Sequence, residues 1–173
     1  MVGKAIQKYP NLLQQIAVHG HEIANHSFTH QRLDQLDAAA IRLELQATTE
    51  LIHEILPNER VQYFRPPGGR YNQIVVDVTN ELGLDILLWD VNAGDYYIGA
   101  HAHLALPYLP RGQQRNHNFI AKRVLARAKA GSIILLHNTD GELLKALPII
   151  LKGLDEQGYE MVTSAELLRR DSE

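Results

Sequence analysis

Four short runs in this 173-residue chain carry side chains that could do chemistry. His26-Ser27-Phe28-Thr29-His30 sets two imidazoles four residues apart, a spacing that one helical turn or a tight loop can aim at a single cation. The competing reading is a pair of solvated loop histidines. Arg65-Pro66-Pro67-Gly68-Gly69-Arg70-Tyr71-Asn72 fixes an arginine against a double proline, which orients its fork for a carboxylate. The glycines let backbone N–H groups approach a ligand closely, although the same run also suits a stiff turn that only caps a strand. The stretch from Trp89 to Tyr97 sets Asp90 and Asp95 beside aromatic residues, where either acid could also cap or turn the chain. Last, the apolar run Ser132 to Leu136 delivers His137 and Asn138, with the histidine suited to general-acid work or to a structural role.

The elements that must position these runs are readable from periodicity and punctuation. Pro10 opens a helix whose apolar stripe is Leu12, Leu13, Ile16 and Ala17, and Gly20 stops it. His21 to Asn25 reads as a short strand leading into a polar loop from His26 to Gln31. Asp37 caps a long helix with Ile41, Leu45, Thr48, Ile52 and Ile55 on one face, ended by Pro57-Asn58. Val61 to Phe64 is the next strand, Ile74 to Leu82 a helix stopped by Gly83, and Asp85 to Trp89 a buried strand. A loop from Asn92 to Asn116 follows, then a helix from Phe119 to Ala130, a strand from Ser132 to Leu136 and a helix from Leu143 to Gln157. Glu160 to Thr163 is a last strand, and Ser164 caps a terminal helix to Arg170. Alternating strands and helices predict an α/β fold with a mostly parallel sheet, open or curled into a barrel, in one domain over residues 1–173. Working residues in such folds sit in the loops that follow the strands, which is where all four runs fall.

Composition narrows the chemistry further. At 45% hydrophobic the chain can bury a core, which excludes a disordered or collagen-like molecule. Lys plus Arg number 17 against 20 Asp plus Glu, for a net charge of −3, so no nucleic-acid partner is expected. With no cysteine, disulfides and thiolate chemistry are excluded, and any metal must be held by His, Asp or Glu, of which nine are histidines. No stretch is apolar and long enough for a transmembrane segment, and no export signal stands in the sequence, so localisation is open.

The runs Gly20 to His30, Phe64 to Gly69, Trp89 to Tyr96 and Gly131 to His137, in this order, resemble the polysaccharide deacetylase family, the NodB-homology or family 4 carbohydrate esterases. The resemblance covers nearly the whole chain and implies an irregular parallel (β/α) barrel. It also implies removal of acetyl groups from an acetylated polysaccharide, an N-acetylglucosamine polymer such as chitin or peptidoglycan in first place, with O-acetylated xylan also within the family. His26 and His30 would be ligands of a divalent metal, zinc in first place and cobalt or another transition metal in second. His137 would be the general acid, with Asp95 tuning it, and Arg65 would orient the catalytic base. The Gly68 N–H would help hold the oxyanion, Leu135 would line the acetyl pocket, and Tyr96 stands where a substrate-facing tryptophan is usual. The family is often exported or associated with the cell envelope.

One motif of the family is absent. Its first strand ends in Thr-Phe-Asp-Asp-Gly, which supplies the base and the third metal ligand, and these 173 residues contain no Asp-Asp pair. The expectations are weak metal binding, little turnover, and exposed sheet edges that invite a homo-oligomer. Gly68, Asn92, Tyr96 and Asn138 depart from the family's common Tyr, Asp, Trp and Asp. Three readings follow: a deacetylase whose amino-terminal segment is not in this sequence, a non-catalytic carbohydrate-binding relative, or an oligomer whose partner supplies the strand. The stretch from Ile98 to Asn118, with His101, His103 and His117, reads as a variable surface insertion that could alternatively shape the groove.

Overall fold

The computed structural model describes residues 1–95, 116–138 and 141–170, which form two compact units, one from Met1 to Leu88 and one from Trp89 onward. In the first unit, α1 (Gly3–Lys8) and α2 (Pro10–Val18) precede the long α3 (Ala38–Ile55), followed by β1 (Tyr63–Phe64), α4 (Gln73–Glu81) and β2 (Asp85–Ile86). Pro10 occupies the first turn of α2, where its missing N–H costs nothing. Asp37 caps α3 by accepting from the Ala40 N–H at 2.8 Å, and Asn72 caps α4 through the Val75 N–H at 3.1 Å.

β1 and β2 pair in parallel, Tyr63 opposite Asp85 and Phe64 opposite Ile86, and Asn25 adds a parallel bridge to Phe64. Of the strand expected over His21 to Asn25, only this bridge forms. Leu33, Ile41, Leu45, Phe64, Val75, Val78 and Leu84 pack α3 and α4 against the strands. A second cluster, Ile6, Leu13, Ile23 and Ile52, seats α1 and α2 on the other end of α3. Four of the five stripe positions predicted for the long helix, Ile41, Leu45, Thr48 and Ile52, are fully buried, and Ile55 at its end is partly buried.

The second unit holds β3 (Val91–Asn92), α5 (His117–Leu125), β4 (Ile134–Leu135), α6 (Gly141–Glu156) and α7 (Ser164–Arg170). β3 and β4 are also parallel, Val91 opposite Ile134 and Asn92 opposite Leu135. Asn116 caps α5 through the Phe119 N–H at 3.0 Å, and Glu142 accepts from the His117 N–H at 2.8 Å. Ile120, Ala121 and Val124 of α5 bury against Leu143, Ala146, Ile150 and Leu154 of α6. Glu160 to Thr163, expected as a strand, is irregular, and the helix expected to reach Ala130 ends at Leu125. Among the described residues, no helix is long and apolar enough to cross a membrane.

Candidate functional site

The loop between His26 and His30 is built on the Asn25 bridge. Asn25 is fully buried; its backbone N–H donates to Tyr63 O at 2.9 Å and its carbonyl accepts from the Arg65 N–H at 3.0 Å. Its side chain donates to Leu45 O at 2.8 Å and Thr49 Oγ1 at 2.9 Å, and its Oδ1 accepts from the Ser27 N–H at 2.9 Å. The chain then turns sharply, with Ser27 at φ 61° and His30 at φ 63°, a left-handed conformation uncommon outside glycine. Ser27 Oγ accepts from the His30 N–H at 3.0 Å and closes the turn. From the other side, the first N–H groups of α1, on Gly3 and Lys4, donate to Ser27 O at 3.0 Å and Phe28 O at 2.9 Å. These groups have no partner within their own helix, so loop and helix satisfy each other.

The turn brings the two imidazoles together in an edge-on arrangement, ring centroids 4.8 Å apart. His26 Nδ1 lies 2.6 Å from Arg65 O, so Nδ1 carries the proton and Nε2 keeps the lone pair that a metal would take. Burial lowers the His26 pKa to about 4; the hydrogen bond to the Arg65 carbonyl opposes this, while the charges of the Met1 amino group, His30 and Arg65 add to it, and the ring is neutral and able to ligate at pH 7. His30 is exposed. Among the described residues, no third His, Asp or Glu joins the pair as a metal-holding group. The donor chemistry fits a borderline divalent ion, while the pair furnishes two ligands where an open catalytic zinc site has three.

The guanidinium of Arg65 is half-buried, and that burial pulls its pKa below the usual value. Its Nε and Nη2 donate to Leu87 O at 3.3 Å and Leu88 O at 3.4 Å, while its own carbonyl receives His26. Gly68 follows in a single helical turn, Pro67–Gly69, at φ 65° and exposed to solvent. A left-handed residue there favours glycine, which adopts it at no steric cost.

In the second unit the strand ends carry Asp95 and His137. Asp95 is 2% exposed, and its carboxylate accepts the main-chain N–H of His137 and faces His137 Nδ1 at 3.1 Å. That contact holds the ring with Nδ1 inward, so proton transfer to a ligand falls to Nε2. Leu135, on β4, is buried at 7% exposure, and its carbonyl accepts from the Ala93 N–H at 3.2 Å. Asn92 turns the strand end, its Oδ1 accepting from the Gly94 N–H at 2.8 Å. His117 opens α5 and its Nδ1 contacts Glu142 at 2.8 Å, the contact of a helix start. Tyr96, His101 and His103 lie outside the described residues. Asn25, which sequence reasoning passed over as a functional residue, holds the base of the His26–His30 turn.

The sequence profile of the family described as polysaccharide deacetylase matches residues 1–87. A peptidoglycan-N-acetylglucosamine deacetylase of Bacillus cereus is 30% identical over 173 residues, 98% of this chain and 73% of that protein. The peptidoglycan-N-acetylmuramic acid deacetylase PdaC of Bacillus subtilis is 29% identical over 167 residues, covering 96% of this chain but 32% of PdaC. A solved structure of PdaC aligns with 99% of this chain and 75% of the solved one at a TM-score of 0.82 and 28% identity. BA3943 of Bacillus anthracis, described as a CE4 family pseudoenzyme, aligns with 96% of this chain and 53% of its own at a TM-score of 0.81 and 26% identity. The α/β architecture is therefore the one these esterase structures share.

Proposed function

The chain belongs to the polysaccharide deacetylase family, and from that membership we propose that it is one catalytic domain built to hydrolyse acetyl groups on an N-acetylglucosamine polymer such as peptidoglycan or chitin, with turnover impaired in these 173 residues alone. The observation that carries the reading is the pairing of His26 and His30, ring centroids 4.8 Å apart, with His26 Nδ1 tied to the Arg65 carbonyl so that Nε2 keeps a lone pair. Named peptidoglycan deacetylases among the relatives support the substrate class.

His26 and His30 would hold the divalent metal, zinc first and cobalt second. When bound, it supplies a Lewis acid that polarises the acetyl carbonyl and acidifies a water. The remaining roles belong to side chains and backbone of this chain. By the family resemblance Leu135 would line the acetyl methyl, and the Gly68 N–H would donate to the carbonyl oxygen as charge develops on it. As the imidazolium, with its Nδ1–H on Asp95, His137 donates its Nε2 proton to the departing amine nitrogen as the C–N bond breaks and is left as the neutral Nδ1–H ring. Water provides the new C–O bond and acetate leaves. Arg65, whose guanidinium spans the Leu87 and Leu88 carbonyls, would orient a carboxylate base. That base is the missing part. No Asp-Asp pair exists in the sequence, so removal of the attacking water's proton has no assigned residue.

A second reading, a carbohydrate-binding relative without turnover, is favoured by the likeness to BA3943, itself described as a pseudoenzyme. The two separate in one experiment: acetate release from N-acetylglucosamine oligomers, with zinc or cobalt, by the chain fused behind a strand ending in Thr-Phe-Asp-Asp-Gly. The hydrolase reading expects turnover that falls at least about a hundredfold in His137→Ala, the lower end of the range for a lost general acid or base. A fusion that folds, binds zinc and the oligomer, and releases no acetate overturns it in favour of the binder.

A further inference from the structure

We propose that Glu44 is a positioning residue for the metal-binding turn: from α3 its carboxylate fixes the backbone between His26 and His30, and so sets how the imidazole pair meets a divalent cation. This rests on the metal reading given above. Glutamates are seldom buried unless paired, yet Glu44 is 7% exposed, and among the described residues no Lys or Arg forms an ion pair with it. Its partners are in the turn instead. Oε2 accepts the backbone N–H groups of Phe28 at 2.9 Å and Thr29 at 2.8 Å, while Oε1 accepts the Thr29 hydroxyl at 2.9 Å and Gln31 Nε2 at 3.2 Å.

Two successive N–H groups aimed at one oxygen make a concavity suited to an anion, and charge-assisted bonds of this kind are the strong ones. Such an anchor is needed here because Ser27 and His30 are both left-handed, a conformation that persists only where the surroundings over-determine it. The carbonyls of Ser27 and Phe28 are held by α1, so Glu44 supplies the complementary half by holding the N–H groups. The helix beneath it is a rigid platform, since Ile41 and Leu45 on either side are fully buried. The sequence carried a signal: Glu44 lies three residues after Ile41 and four before Thr48, on the apolar face of its helix.

The test crosses length against charge. Glu44→Gln keeps the reach and one oxygen able to take both N–H groups, whereas Glu44→Asp keeps the charge but withdraws it by one methylene. Zinc affinity of the whole chain is measured by competition titration for the parent, both variants and His26→Ala/His30→Ala, and the metal-free hydrogen exchange of the Phe28 and Thr29 amides is followed beside it. The expected result is a roughly tenfold or greater loss in Glu44→Asp, the range for groups that orient metal ligands, with faster exchange at both amides, and a smaller loss in Glu44→Gln, which keeps the reach but gives up the charge. Equal affinity in Glu44→Asp and the parent, or loss in Glu44→Gln as deep as in Glu44→Asp, overturns the proposal. A lower melting temperature in Glu44→Asp with unchanged affinity overturns it as well, since that is what a purely structural carboxylate would give. Should the double histidine variant bind zinc as the parent does, the metal reading itself fails and this role with it, whereas unchanged amide exchange in Glu44→Asp refutes the clamp independently of metal.

Discussion

Asp95→Ala removes a carboxylate that is 2% exposed and serves His137 twice, at the main-chain N–H and at Nδ1 3.1 Å away. A hydrogen bond to a charged group contributes roughly 1.5–3 kcal/mol, and a buried donor left unsatisfied costs about 1–3 kcal/mol. Relief from burying the carboxylate offsets part of this, so the net loss is about 2–3 kcal/mol in the unit that begins at Trp89. Asp95→Asn separates the two contacts. One amide oxygen still accepts the N–H, but an NH2 group now faces Nδ1, which must become an acceptor and send its proton to Nε2. That variant loses about 1 kcal/mol and reverses the tautomer. The chain has one tryptophan, Trp89, so urea unfolding followed by its fluorescence reports on this unit. At a urea slope of about 1–3 kcal/mol per molar, the Asp95→Ala midpoint drops by about 0.7–3 M, and nitrogen shifts of the His137 ring read the tautomer directly. An Asp95→Ala midpoint within error of the parent, together with an unchanged His137 tautomer in Asp95→Asn, would refute the assignment of Asp95 as the group that holds this ring.

Other perturbations test the first unit. The folded His26 pKa of about 4 lies below its ordinary 6.5, so between these values the unfolded chain binds more protons and stability rises with pH. The contribution, on the order of 3 kcal/mol, is complete above the unfolded pKa and lost as pH falls through the folded one; an NMR titration placing His26 near 6.5 contradicts it. Gly68→Ala puts a Cβ into open space but at φ 65°, so it destabilises by about 1 kcal/mol through backbone strain alone, and a melting temperature equal to the parent's would be inconsistent with the turn. Gly3→Ala is harsher in packing, because the added Cβ would meet the Phe28 ring at 2.2 Å; calorimetry is expected to register a loss of about 1–3 kcal/mol, and a neutral outcome would mean that Phe28 can swing aside at no cost.

What the sequence disclosed and what it withheld divide along physical lines. Helix stops at Gly20, Gly83 and Gly158 were legible because each occupies a left-handed position that other residues resist, and all three have positive φ, whereas Gly131, also at positive φ, lies six residues beyond a helix that already ends at Leu125. The stripe of α3 was legible because burial and helical period coincide there. Strand extents were not: apolar runs of four or five residues mark burial, while ladder pairing over two residues depends on neighbours far away in sequence. The six-residue α1 went unseen because no side chain caps it; its first N–H groups are satisfied by carbonyls of the His26–His30 turn. The histidines of the candidate site could be read from type and spacing, and His137 from its place at the end of an apolar run. Asn25 and Glu44 could not be read so directly, because their task, holding the backbone of a left-handed turn, exists only once that turn has formed.

The measurement that bears most directly on the central claim is acetate release from N-acetylglucosamine oligomers by these 173 residues alone, in excess zinc, against His26→Ala/His30→Ala under the same conditions. In the proposed mechanism the family's Asp-Asp motif would supply the base, and no such pair stands in this sequence, so the two proteins are expected to release acetate at the same background rate. Turnover by the parent that is clearly above the double variant would contradict it, and would require another group in this chain to act as the base.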